Sequence, residues 1–143
     1  MTDLSAVLDV LAKLGDKRPF TAEAVGKAFA VELNPDFETS TPYFTVYQGG
    51  PEGLLTRIEV REPRQADPVK QGMVLVDLGG CATRADVGDR FGAAEPGPPP
   101  PLRPGMPADS PAYATYPQAW GAVKLGWSRS NACLLRVILD ANR

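Results

Sequence analysis

The chain has 143 residues, 43% apolar and 22% charged, with a formal charge of −2 and no histidine. That length fits one compact domain, or two small halves sharing a core, which should bury roughly two-thirds of the unfolded surface without a metal or disulfide framework. The missing histidine excludes Ser–His and Cys–His catalysis and the His-containing zinc sites, and the lack of any Lys/Arg run argues against nucleic acid and polybasic membrane contacts.

In chain order, residues 3–14 place Leu4, Val7, Leu8, Leu11 and Leu14 at helical spacing, with Thr2 or Asp3 to cap the start and Gly15 the end. A second helix is predicted over 22–32, capped by Thr21, with Val25 and Phe29 on one face. Gly26 inside it costs about 1 kcal/mol against Ala, and close approach to a sheet is the expected compensation. Strands follow over 42–48 and 54–62. The first alternates Tyr43, Thr45 and Tyr47 against Phe44 and Val46. The second alternates Leu54, Thr56, Ile58 and Val60 against Arg57, Glu59 and Arg61. After a polar connection (63–71), a mostly apolar strand is expected over 72–80.

A third helix starts from Thr83, with Val87 and Phe91 on one face and Gly92 as its stop. Residues 93–111 hold eight of the fifteen prolines and read as an extended, partly polyproline II loop. Three strands close the chain, over 112–118, 120–128 and 131–140. Val123, Leu125 and Trp127 share one face of the middle strand, and Trp120, Ala122 and Lys124 the other; in the last, Cys133, Leu135, Val137 and Leu139 oppose Leu134, Arg136, Ile138 and Asp140.

Residues 21–29 (TAEAVGKAF) and 83–91 (TRADVGDRF) both fit T-x-x-x-V-G-x-x-F. PYFTVY after the first matches AYATYP after the second. Leu55–Val60 and Leu134–Leu139 share an Arg-[Ile/Val] core. The pattern predicts a single domain, 1–143, built from pseudo-repeated halves 16–80 and 81–143, with the first helix as an N-terminal addition. The fold class expected is α+β: an antiparallel sheet with helices packed on one face.

Helix, then short antiparallel sheet, twice over, with Val87-Gly88-Asp89-Arg90-Phe91-Gly92 followed by a loop, Tyr113 and Tyr116, resembles the tandem-repeat fold of the beta-lactamase inhibitor protein and the SmpA/BamE-like domains. Those proteins are exported. This chain shows no signal peptide or lipobox: Asp3 stands where a basic region would, and Asp9 interrupts the apolar stretch. The expected setting is therefore the cytoplasm, with Cys81 and Cys133 as reduced thiols. In type, a small acidic cytoplasmic α+β protein resembles the immunity proteins of bacterial polymorphic toxins.

Candidate chemistry is sparse. Cys81 before a helix is a possible nucleophile or redox thiol, without a base. Asp77, Asp86, Asp89 and Asp140 offer carboxylates, although Asp86 and Asp89 equally suit a helix start. No phosphate-loop or calcium-loop spacing occurs, and no cofactor or metal is expected. Residues 98–103 (PPPPLR) fit a polyproline ligand. Tyr43, Tyr47, Arg57, Glu59, Tyr113, Tyr116, Trp120, Lys124 and Arg136 have interface composition if they share an open sheet face. The leading expectation is a non-enzymatic inhibitor or immunity protein that occludes a toxin or effector, with a protein partner and neither nucleic acid nor membrane. The alternatives are a small enzyme or ligand-binding domain using Cys81 and carboxylates under the 93–111 loop, and a scaffold docking through that loop.

Overall fold

A computed structural model describes residues 3–64, 70–98 and 101–142. Among these residues three helices, α1 (Leu4–Leu14), α2 (Ala22–Phe29) and α3 (Arg84–Val87), accompany seven strands. The strands are β1 (Asn34–Pro35), β2 (Phe44–Gly49), β3 (Leu55–Pro63), β4 (Lys70–Ala82), β5 (Ala112–Gln118), β6 (Gly121–Trp127) and β7 (Leu134–Asn142). They form one antiparallel sheet in the order β1-β2-β3-β4-β7-β6-β5. The α+β class expected from the periodicities is thus the class observed. Two meanders, β2-β3-β4 and β5-β6-β7, meet edge to edge where β4 pairs with β7.

The helices bury their apolar stripes on one side of this sheet. Val7, Leu8, Leu11 and Leu14 of α1 and Val25 and Phe29 of α2 join Ile58, Val60, Val74, Val76, Val123, Leu125, Val137 and Leu139 in one core cluster. Val87 of α3 belongs to the same cluster. Arg90 clamps α3 to α1: its Nε donates to Asp9 Oδ1 at 2.9 Å and its Nη2 to Ser5 Oγ at 3.2 Å.

The two V-G-x-x-F motifs do different work. α2 ends at Phe29, three residues before the predicted end, because Ala30 turns left-handed (φ 55°) and Val31 N–H reaches back to Gly26 O at 2.9 Å. A Cβ on Gly26 would meet Val31 O at 2.8 Å, so this glycine makes room for the helix's own C-cap rather than for the sheet. Gly88 instead ends α3 after a single turn, at φ 59°. The matched strands hold different places in their meanders: Leu55–Val60 lies in the middle strand of one and Leu134–Leu139 in the last strand of the other.

Two predicted alternations are broken. A register shift between Leu55 and Arg57 puts Leu55, rather than Leu54 and Thr56, in the core beside Ile58 and Val60. At the start of β7 a second shift lets Leu134 and Val137 both point inward.

The cysteines are not free thiols. Cys81, at the end of β4, and Cys133, just before β7, form a disulfide with Cα atoms 4.8 Å apart. The expected pair of reduced cysteines is corrected by the pairing of β4 with β7, which brings two segments 52 residues apart into contact.

The proline-rich segment is also more folded than expected. Residues 101–111 make two turns, closed by Met106 N–H to Arg103 O and Ser110 N–H to Pro107 O, both 3.1 Å. Pro99 and Pro100 of the PPPPLR motif, Thr2, and residues 65–69 of the polar connection lie outside the described residues.

Candidate functional site

Side chains opposite the helices define the outer face. The register places Arg57, Asp77, Arg136, Gly126 and Tyr113 along one cross-strand row. The next row holds Gln48, Glu59, Leu75, Ile138, Lys124 and Thr115, and a third Val46, Arg61, Met73, Asp140, Ala122 and Pro117.

Charges alternate along and across these rows and pair locally. Glu59 is the buried charged residue among those described; it accepts from Arg57 Nη2 at 2.7 Å and from Arg61 Nε at 3.1 Å. Asp77 accepts from Arg136 Nε and Nη2 at 2.6 and 3.3 Å, with Arg57 Nη1 3.7 Å away. The Asp77 hydrogen bonds push the Arg136 pKa above its ordinary value, against the opposing pull of burial, and Tyr113 adds a smaller push in the same direction. Lys124 Nζ lies 3.7 Å from Asp140 Oδ2. The arginines and the lysine remain 31–47% exposed while their carboxylates are 8–22% exposed, so the acids are sunk into the face and the cations stand at its surface.

Five of the nine expected interface residues share this face: Arg57, Glu59, Tyr113, Lys124 and Arg136. Three do not. Tyr47 pairs with Val60 and packs on the core side. Tyr116 is buried there against Phe91, ring centroids 6.5 Å apart. Trp120 precedes β6, meets Phe20 edge-on at 6.0 Å and lies against Gly15, with the Arg18 guanidinium 5.7 Å from its ring. These three aromatics pack into or against the core on the helix side of the sheet. Tyr43 stands before β2, 76% exposed. Arg61 and Ile138, which alternation already placed beside Arg57 and Arg136, also belong to this face, as does Leu75, though none was among the expected interface residues.

No family model, no curated protein and no solved structure matches this chain. The tandem-repeat likeness therefore rests on sequence pattern alone, and the reading of the site rests on geometry.

The other candidate groups are accounted for by packing. Asp86 completes a capping box, accepting from Thr83 N–H at 2.8 Å while Thr83 Oγ1 accepts from Asp86 N–H at 3.3 Å. The Thr83 backbone bond, reinforced by its hydroxyl, lowers the Asp86 pKa below the usual aspartate value. Asp89 lies beyond the end of α3, so the two acids share no helix face. Cys81 is committed to its disulfide, which overturns the thiol-nucleophile alternative. Among the described residues no group of three or more Cys, Asp or Glu side chains is placed to hold a metal ion, and no helix is long and apolar enough to cross a membrane.

Two loops bound the outer face. At the β2 end, Thr39 and Thr41 line a small cavity with Phe44, Val46, Glu59 and Arg61. At the β5 end, residues 101–111 fold against Tyr113 and Arg136. The free edge of β5 is blunted by Pro117 and by Glu95, whose N–H donates to Thr115 O at 2.7 Å.

Proposed function

We propose that this chain is a non-enzymatic binding protein that grips a protein partner with the outer face of its sheet. More narrowly, it is an inhibitor or immunity protein that neutralises a bacterial toxin or effector by covering its working surface. The observation that supports this is the ion-paired ladder of Arg57, Glu59, Arg61, Asp77 and Arg136 beside the half-buried Met73 and Ile138. Cations already held in place by sunken carboxylates lose little freedom on docking, and an apolar centre ringed by charge has the anatomy of a recognition surface. Complementarity on this face is local, pair by pair, because its four cations nearly balance its three carboxylates.

The compartment follows from the cysteines. Disulfides persist in oxidising environments and are rare in the cytosol. The Cys81–Cys133 bridge therefore favours an extracytosolic setting over the cytoplasmic one expected from the sequence.

The test is co-purification with the product of the adjacent reading frame. A stable complex on size exclusion is expected, weakened about 30-fold by Ile138→Asp, as for a hot-spot loss of about 2 kcal/mol. A complex untouched by Ile138→Asp and by Lys124→Glu would overturn the assignment of this face.

A further inference from the structure

The folded proline-rich segment does more than border the sheet. Between residues 101–111 and the outer ends of β5 and β7 lies a cavity of about 350 Å³. Ligand sites commonly run from about 300 to 1,000 Å³, so this one suits a metabolite-sized molecule.

Its lining has a distinct chemistry. Three arginines reach it from three separate segments: Arg103 from the loop, Arg129 from the β6–β7 turn and Arg136 from β7. Among the described residues none that lines it is acidic, in a chain whose net charge is −2. Asp77 engages Arg136 through Nε and Nη2, which fixes that guanidinium at the cavity wall. Met106, Pro111 and the Tyr113 ring supply apolar wall. The loop is held in place by its two turns and by Arg129 Nε donating to Ser110 O at 3.0 Å. Gly126 brings the wall in close: a Cβ there would meet the Tyr113 ring at 2.8 Å and Pro111 at 2.9 Å.

Guanidinium groups match the planar, two-pronged geometry of carboxylate and phosphate, so three of them converging on a partly enclosed space favour an oxyanion there. An apolar wall beside them selects an anion that carries a hydrophobic body. We propose that this cavity is a binding site for a small oxyanion, a carboxylate or phosphate monoester attached to an apolar or aromatic group. The site shares Arg136 and Tyr113 with the outer face, but it is tested separately from the protein-binding reading and can fail without it.

Phenyl phosphate and benzoate, titrated separately into the isotope-labelled full chain, test this by NMR, with benzyl alcohol as the uncharged control. Saturable shifts are expected at the amides of 101–111 and the Nε–Hε signals of Arg103, Arg129 and Arg136. The tighter of the two probes identifies the anion. Arg103→Gln and Arg129→Gln should each weaken binding about tenfold, the loss of one charge-assisted contact. Lys27→Gln, on the exposed side of α2, should leave it unchanged. Failure of both anions to saturate, equal binding of benzyl alcohol, or full affinity in Arg103→Gln would overturn the proposal. The Ile138→Asp result on the protein complex is unaffected by any of these outcomes.

Discussion

The two faces of the sheet are built from the same strands and differ by one residue of register, yet they have opposite physics. On the helix side Val76, Val137 and Leu139 are at most 1% exposed. One position along, Asp77, Arg136, Ile138 and Asp140 meet charge partners or stay half-buried. Stability resides on the first face through removal of apolar surface from water. The exposed cations of the second face contribute little to holding the fold, which leaves their chemistry available for recognition.

The largest effect that sharpens this contrast comes from truncation. Phe29→Ala or Leu8→Ala, both fully buried, should cost about 3–5 kcal/mol in denaturant unfolding. Lys124→Ala on the outer face should stay within about 0.5 kcal/mol. Similar losses at both sites would erase the distinction between the faces.

Next is the covalent tie that spans the central β4–β7 pair. Replacing Cys81 and Cys133 together by serine should cost about 2–4 kcal/mol, as expected for closing a loop of this size. Alkylation before and after reduction gives a direct check: no adduct on the native chain, two after reduction and unfolding.

Much of this contrast was written in the sequence, and the misses have physical causes. The Arg57–Glu59–Arg61 series was legible because charged residues strictly alternate with uncharged ones there, and the Val123–Leu125–Trp127 face because its large apolar residues recur at every second position. In β2 both faces are apolar, so nothing local told Tyr47 which side to take; its pairing with Val60 decides it. Trp120 sits one residue outside its strand, where alternation carries no information. The bulge between Leu55 and Arg57 shifts the core face without any glycine or proline at that point to announce it. The disulfide depends on β4 meeting β7, a long-range pairing that no local pattern encodes. The arginine cavity needed the proline-rich segment to be folded into turns, where composition suggested an extended chain.

A smaller effect tests the ladder itself. Glu59→Ala strips the shared acceptor from Arg57 and Arg61 and should cost about 1–2 kcal/mol, discounted because both arginines are well exposed. The loss should shrink in high salt.

The smallest effect is at the α3 cap. Because the folded Asp86 pKa is lowered, its contribution is present above the unfolded aspartate value and is lost as pH falls through the folded value. Carboxyl NMR titration should place Asp86 below ordinary aspartates, and Thr83→Ala, which removes the hydroxyl but keeps the backbone N–H, should raise it only in part.

The central claim, that helices shield one side of the sheet and leave the other open, is tested most directly by paramagnetic relaxation from a soluble, neutral gadolinium agent. Successive β7 residues should alternate: the Ile138 methyls relax strongly while those of Val137 and Leu139 are protected. Equal protection of all three would mean that both sides of the sheet are covered, and would contradict the account.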